Sequence, residues 1–249
     1  MKHKNFKDKR GEVNTTSEGY SSEIIEYFGW NNCKVLLDSD IILENVRYES
    51  FKYGMIKNPY KKSVHSVGFL GVGSYKTSIN GKHVKSYTTW RSMLARCYDV
   101  IQSTATYKDV TVCEEWHNFQ NFAKWFEENY TEGFELDKDI ICPSCKVYSP
   151  STCCFVPQEV NKLFTKRNNN RGEFPIGVCD SGFNTFIAQF SFGIGRQKYL
   201  GSFSTPEEAF QVYKEAKEQY IKEVADKWKD KINPHVYEAM YNYKVEITD

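Results

Sequence analysis

The sequence predicts a multidomain α+β protein built from three parts. These are a small N-terminal β unit, a central strand–strand–helix unit with further helices, and a C-terminal unit of three strands and a helix. Three observations predict it. Short β-branched runs separated by Gly, Asn and Asp follow one another from Glu23 within residues 1–60. An aromatic stripe at helical spacing precedes a strand–loop–strand–helix pattern that holds four cysteines. Near the C-terminus, three strand-like runs end in a strong helix start.

Residues 1–12 read as a loose basic arm. From Glu23, the runs EIIEYF, KVLLDS and DIILENVRYESF each read as a strand, too short and too β-branched for a stable helix. Together they suggest a small twisted sheet or partial barrel, ended by Lys57-Asn58-Pro59-Tyr60. Asn80-Gly81 lies between strand-like runs within Gly73–Tyr87, and that pair suits a two-residue hairpin turn with positive φ. Thr89 to Tyr98 reads as a helix capped by Thr89, with Trp90, Met93, Leu94 and Cys97 on one face. Glu114 to Asn129 reads as a second helix, with Trp116, Phe119, Phe122 and Phe126 forming a core stripe.

The run RNNNRGEF, residues 167–174, marks a boundary of flexible composition. Beyond it FPIGVCD, NTFIAQFSF and RQKYLGSF read as strands. Thr205 as N-cap, Pro206 at the first helical position and Glu208 as the capping-box acid start a helix. That helix presents Ala209, Phe210, Tyr213, Ala216, Tyr220 and Val224 on one side. The segments expected are 1–60, 61–166, 172–230 and a C-terminal extension 231–249.

A chain of 249 residues, with 40% hydrophobic and 16% aromatic content, has material for several cores. No apolar run approaches the roughly 20 residues of a membrane span. The charged N-terminus has no secretory character, so a cytoplasmic location is expected, and its eight cysteines are expected as thiols or metal ligands.

The net charge of +1 hides segregation. Ser50 to Tyr98 holds no Asp or Glu, yet carries Lys52, Lys57, Lys61, Lys62, Lys76, Lys82, Lys85, Arg91 and Arg96 among aromatic residues. Val160 to Gly172 is a second acid-free stretch, with Lys162, Lys166, Arg167 and Arg171. Such blocks form an electrostatic footprint for a polyanion, and nucleic acid is the commonest one.

The C-terminal motifs carry a resemblance. Gly177-Val178, FIAQF at Phe186–Phe190, YLGSFSTPEEA at Tyr199–Ala209 and VYKEA at Val212–Ala216 resemble an AP2-type DNA-binding domain. The resemblance implies a three-stranded antiparallel sheet laid into the major groove and backed by the helix. In the middle strand Phe186, Ala188, Phe190 and Phe192 alternate with Thr185, Ile187, Gln189 and Ser191, so the polar set faces away from the helix. The resemblance makes Cys179, Ser181, Thr185, Gln189, Ser191, Gln197 and Tyr199 candidates for the groove, with Arg196 and Lys198 on phosphates. Cys, Ser and Gln stand where the plant pattern has several arginines.

The stretch ELDKDIICPSCKVYSPSTCCFVPQEVNKLF, residues 135–164, resembles the ββα unit of HNH nucleases. Phage-type homing endonucleases of that kind often join such a unit to accessory DNA-binding modules. Asp137-Lys138 falls at the Asp-His pair, Pro150-Ser151-Thr152 at the Asn-bearing turn, and Asn161 in the helix. Lys138 replaces the His, and Thr152 replaces the Asn that orients it. The resemblance implies a metal-dependent DNA endonuclease or nickase, with Asp137 and Asn161 on Mg²⁺ or another divalent cation. At its reference pKa of about 10.4 a Lys is a cation, suited to a phosphate rather than to the base role. His117 is the nearest other base in the sequence.

The cysteines admit a separate reading. Cys142-Pro-Ser-Cys145 is a normal half of a zinc site, and Cys153 or Cys154, with Cys113 or His117, would complete structural Zn²⁺. Buried free thiols are the alternative. The function expected is that of a divergent HNH-type enzyme of phage or mobile-element origin, acting in the host cytoplasm. The alternatives are a DNA-binding protein without catalysis, or a phage protein directed at a host factor.

Overall fold

The computed structural model describes residues 7–99, 109–143, 145–164, 173–182, 184–191 and 197–247. Lys166, Arg167, Arg171, Phe192 and Arg196 lie outside the described residues. The chain is α+β and forms two compact units, Met1–Gln102 with Glu114–Lys124, and Ser103–Cys113 with Trp125–Asp249.

The first unit opens with an antiparallel meander of β1 (Val13–Thr15), β2 (Ser21–Tyr27), β3 (Cys33–Leu37) and β4 (Ile41–Val46). Alternation drives it: Cys33, Val35 and Leu37 point inward with Ile24 and are fully buried. Asp38 and Ser39 take positive φ of 52° and 68° and form the tight β3–β4 connection. The third expected strand ends early. After Arg47 the chain turns into a short helix, α1 (Tyr48–Lys52), because Tyr48 and Phe51, three positions apart, both bury against the sheet.

Strands β5 (Ser78–Ile79) and β6 (Lys82–His83) form the expected hairpin, with Asn80 at φ 51° and Gly81 at φ 77°. Helix α2 (Lys85–Tyr98) begins four residues before Thr89 and has Val84 at its N-cap without a side-chain cap. Trp90, Met93 and Leu94 are buried as expected, and Cys97 is half-buried.

The stretch expected as one helix over Glu114–Asn129 is broken. A 3-10 turn at Glu114–His117 precedes α3 (Phe119–Asn129). The break is caused by Phe69, whose N–H donates to His117 O and whose carbonyl accepts from Phe119 N, each at 2.9 Å. Asn118 Oδ1 then caps α3 by accepting from Gln120 N at 3.0 Å. The stripe is core: Trp116, Phe119 and Phe122 are fully buried.

In the second unit β7 (Thr111–Val112) pairs in parallel with β9 (Val147–Tyr148). Strand β8 (Phe134–Asp137) pairs antiparallel with β10 (Cys154–Pro157), and α4 (Gln158–Phe164) follows at once. Phe126, Tyr130 and Phe155 pack as a ring cluster with centroids 4.3–5.3 Å apart.

The same unit holds a three-stranded antiparallel sheet of β11 (Val178–Asp180), β12 (Phe186–Ser191) and β13 (Gln197–Phe203). Helix α5 (Pro206–Trp228) covers one face of it. Its expected start is present in full. Thr205 Oγ1 accepts from Glu208 N at 3.3 Å, and the Glu208 carboxylate accepts from Thr205 N at 3.3 Å. Each half of such a cap contributes about 1 kcal/mol. Helix α6 (Pro234–Tyr241) lies against α5, and Val245 is fully buried in the sheet–helix core. Among the described residues no helix is long and apolar enough to cross a membrane.

Candidate nucleic-acid interface and ββα centre

Two places in the second unit hold the residues singled out in the sequence. The first is the face of the β11–β13 sheet that lies away from α5. Val178, Ala188 and Phe190 are buried toward the helix. The register places Cys179 opposite Ile187, Ile187 opposite Ser202, Gln189 opposite Tyr199 and Ser191 opposite Gln197 on the other face. Opposed residues share a face, so these seven side chains form one surface.

This surface is polar and held in place. Gln189 Nε2 donates to Cys179 Sγ at 2.9 Å, and Tyr199 Oη lies 2.9 Å from Ser202 Oγ. Thr185 and Ser181 close the β11–β12 turn, their hydroxyls 2.6 Å apart. A bulge between Ala188 and Gln189 adds twist, which curves the sheet. Lys198 pairs across from Phe190, so it leaves the strand on the helix side and not with Gln197 and Tyr199. The alternation of β12 placed Ile187 on this face, whereas Ser202 was not singled out in the sequence.

In the first unit Lys76, Lys82, Lys85 and Arg91 are all exposed. None has an ion-pair partner among the described residues.

The second place is the β8–β10–α4 centre. Asp137 ends β8, opposite Cys154, and its Oδ1 accepts from Asp139 N and Ile140 N at 2.8 Å each. Burial pushes its carboxyl above the ordinary aspartate value. The Ile140 and Asp139 N–H groups oppose that push, and the Asp139 charge adds to it.

Lys138 is turned inward, only 7% exposed. Its Nζ is paired with the Asp139 carboxylate and donates to Cys145 O at 3.2 Å, with the Tyr148 ring centroid 5.8 Å away. Thr152 is a turn residue. Its Oγ1 donates to Val147 O at 2.7 Å and accepts from Ser149 N at 3.0 Å.

Asn161 Nδ2 donates to Glu135 Oε2 at 2.7 Å. Glu135 was missed, though it sits two residues before Asp137 and so shares its side of the strand. His117 belongs to the first unit, where its Nε2 lies 3.3 Å from Tyr98 Oη.

Among the described residues no three His, Cys, Asp or Glu side chains gather into one ligand set. The expectation that every cysteine is a thiol or a metal ligand is corrected, because Cys142 and Cys145 are joined in a disulfide. A disulfide has no thiolate to give zinc. Burial pushes the Cys153 thiol up to about 12 and raises Cys154 as well, so both are neutral thiols. Cys113 is half-buried at the end of β7, its N–H donating to Tyr148 O at 2.9 Å. The β8–β10–α4 centre is hydrogen-bonded, with the buried thiols of Cys153 and Cys154 and the half-buried carboxyl of Asp137.

Compared with known proteins, the chain matches no family model, no curated protein and no solved structure.

Proposed function

We propose that the chain binds double-stranded DNA through the outward face of the β11–β13 sheet, in the manner that the AP2-type resemblance implies. One observation carries the reading. The face opposite α5 is a row of polar side chains, Gln189, Ser191, Gln197, Tyr199 and Ser202, set on a sheet whose other face is fixed in a core. A β-sheet of this width fits the major groove, and Gln189 has the amide that pairs bidentately with adenine. The unpaired cations Lys76, Lys82, Lys85 and Arg91 supply attraction that is independent of sequence.

The test is duplex binding at several salt concentrations. Gln189→Ala is expected to cost about 1–3 kcal/mol on a preferred site and to relax the preference there. A Lys82→Ala, Lys85→Ala double variant is expected to weaken all duplexes alike and to flatten the salt slope by about two. No duplex binding at low salt sinks the reading.

A second reading, a divergent HNH-type nickase or endonuclease, is favoured by the order β8–β10–α4 with Asp137 at the strand end and Asn161 on the helix. The engagement of Asn161 with Glu135 and of Lys138 with Asp139 weighs against it. Supercoiled DNA incubated with Mg²⁺ or Mn²⁺, against EDTA and Asp137→Ala, decides it. Intact DNA in every lane leaves the ββα unit as a scaffold beside the sheet. Metal-dependent nicking that is lost in Asp137→Ala makes it an active centre.

A further inference from the structure

The first unit holds a pocket that the duplex reading does not use. It has a volume of about 220 Å³ and is lined by Trp30, Asn31, Arg47, Glu49, Lys52 and Tyr53. Two of its walls are exposed aromatic rings, Trp30 at 54% and Tyr53 at 64%.

Trp30 is fixed before any ligand arrives. Its carbonyl accepts from Tyr48 N at 2.9 Å, and its ring stands edge-on to Tyr48 at 4.9 Å and 89°. Tyr48 is itself buried, and its hydroxyl donates to Glu12 at 2.8 Å. Beside that contact more than half of the Trp30 surface stays open to a ligand. Tyr53 follows α1 directly, with Lys52 Nζ 5.6 Å from its ring centroid. Among the described residues Arg47 and Lys52 have no carboxylate partner, and Glu49 is the one acid lining the pocket.

This combination selects a class of ligand. Drug-sized molecules need roughly 300–1,000 Å³, so the pocket suits one planar group with the remainder outside. The excess of cations repels an ammonium ligand, the usual guest of an aromatic cage. An apolar side chain has no use for two unpaired cations. A nucleobase with flanking phosphates uses four of the six lining residues: the aromatic rings of Trp30 and Tyr53 for the base, and Arg47 and Lys52 for the phosphates. A base within a duplex is stacked on both sides and cannot enter.

We propose that this pocket binds an unpaired base of single-stranded DNA, stacked on Trp30 and Tyr53, with Arg47 and Lys52 on the adjoining phosphates. The proposal shares with the duplex reading only the class of ligand, and it is carried by other residues.

The experiment uses the full chain with a fluorescein-labelled oligothymidylate and, separately, a duplex. Anisotropy is read at fixed salt. Trp30→Ala and Tyr53→Ala are each expected to weaken oligothymidylate binding about tenfold and to leave duplex binding unchanged. Arg47→Glu, on an exposed side chain, is expected to weaken it at least as much and keeps the test valid if Trp30→Ala loosens Tyr48. Oligothymidylate is expected to quench wild-type tryptophan fluorescence more than that of Trp30→Phe. Equal affinity of wild type and all three variants, or no binding by wild type, overturns the proposal. Single-strand binding that falls in the variants while no duplex is bound at all overturns the duplex reading and leaves this one standing.

Discussion

The side-chain amide of Asn161 on α4 donates to the carboxylate of Glu135 on β8 at 2.7 Å. Helix and strand are thus joined by a polar tie between half-buried groups. Asn161→Ala and Glu135→Ala are each expected to lower stability by about 0.5–1.5 kcal/mol. The double variant is expected to cost less than the sum, with a coupling of about 0.5–1 kcal/mol. Urea denaturation of the four proteins measures it. Strict additivity would show that the tie contributes nothing.

Gly177 precedes β11 with φ at 79°, and an added Cβ would overlap the ring of Tyr213 on α5. Gly182 has nearly the same φ, 78°, but open space around it. Gly182→Ala is expected to cost only the backbone strain, about 1–2 kcal/mol. Gly177→Ala is expected to cost clearly more, because Tyr213 is buried and cannot yield. Denaturant midpoints for the pair separate strain from overlap, and equal costs would count against the packing of α5 on the sheet.

Glu159 on α4 accepts from Lys227 Nζ at 2.6 Å and from Trp228 Nε1 at 2.8 Å, tying α4 to α5. The Lys227 contact holds its carboxyl below the ordinary glutamate value against the opposing effect of burial, and Trp228 assists. A carboxyl lowered in the folded state stabilises the fold above its unfolded pKa of about 4.3, and that stability is lost as pH falls through the folded value. Glu159→Gln is therefore expected to be less stable than wild type near pH 6 and to converge with it near pH 3. A gap that stays constant across that range would contradict the assignment.

The thiols should differ in reactivity. Cys179 is exposed on the sheet face, whereas Cys33, Cys153 and Cys154 are buried and burial raises all three. Alkylation of the native protein followed by peptide mass spectrometry is expected to modify Cys179 first. Cys33, Cys153 and Cys154 should react only on unfolding. Cys142 and Cys145 should react only after reduction of their disulfide. Rapid native modification of Cys153 would mean that the β8–β10–α4 core is open.

Local signals were legible in the sequence. Asn80-Gly81 forms its hairpin, Thr205 and Glu208 form their capping box, and Ala188 and Phe190 alternate inward as the middle strand required. Each depends on residues within a few positions of one another. What was not legible depends on distant partners. Nothing local to Glu114–Asn129 announces that Phe69 will split the helix. The parallel pairing of Thr111–Val112 with Val147–Tyr148 involves two residues on each strand, too few for a period. At the β8–β10–α4 centre, spacing placed Asp137 and Asn161 on a strand and a helix, and both are there. Spacing did not say that Glu135 would take the Asn161 amide, or that Lys138 would fold inward onto Asp139.

The interleaving of the two units bears on how a ribosome delivers them. The chain leaves the first unit after Gln102, lays down β7 for the second, and returns to the first for Glu114–Lys124. The first unit therefore lacks Trp116, Phe119 and Phe122, all fully buried, until those late residues emerge. Val112 in turn waits for Tyr148, which follows seconds later at about 5–20 residues per second. Nascent chains halted just short of Glu114 should carry a first unit sensitive to protease, and chains halted well beyond Lys124 a resistant one.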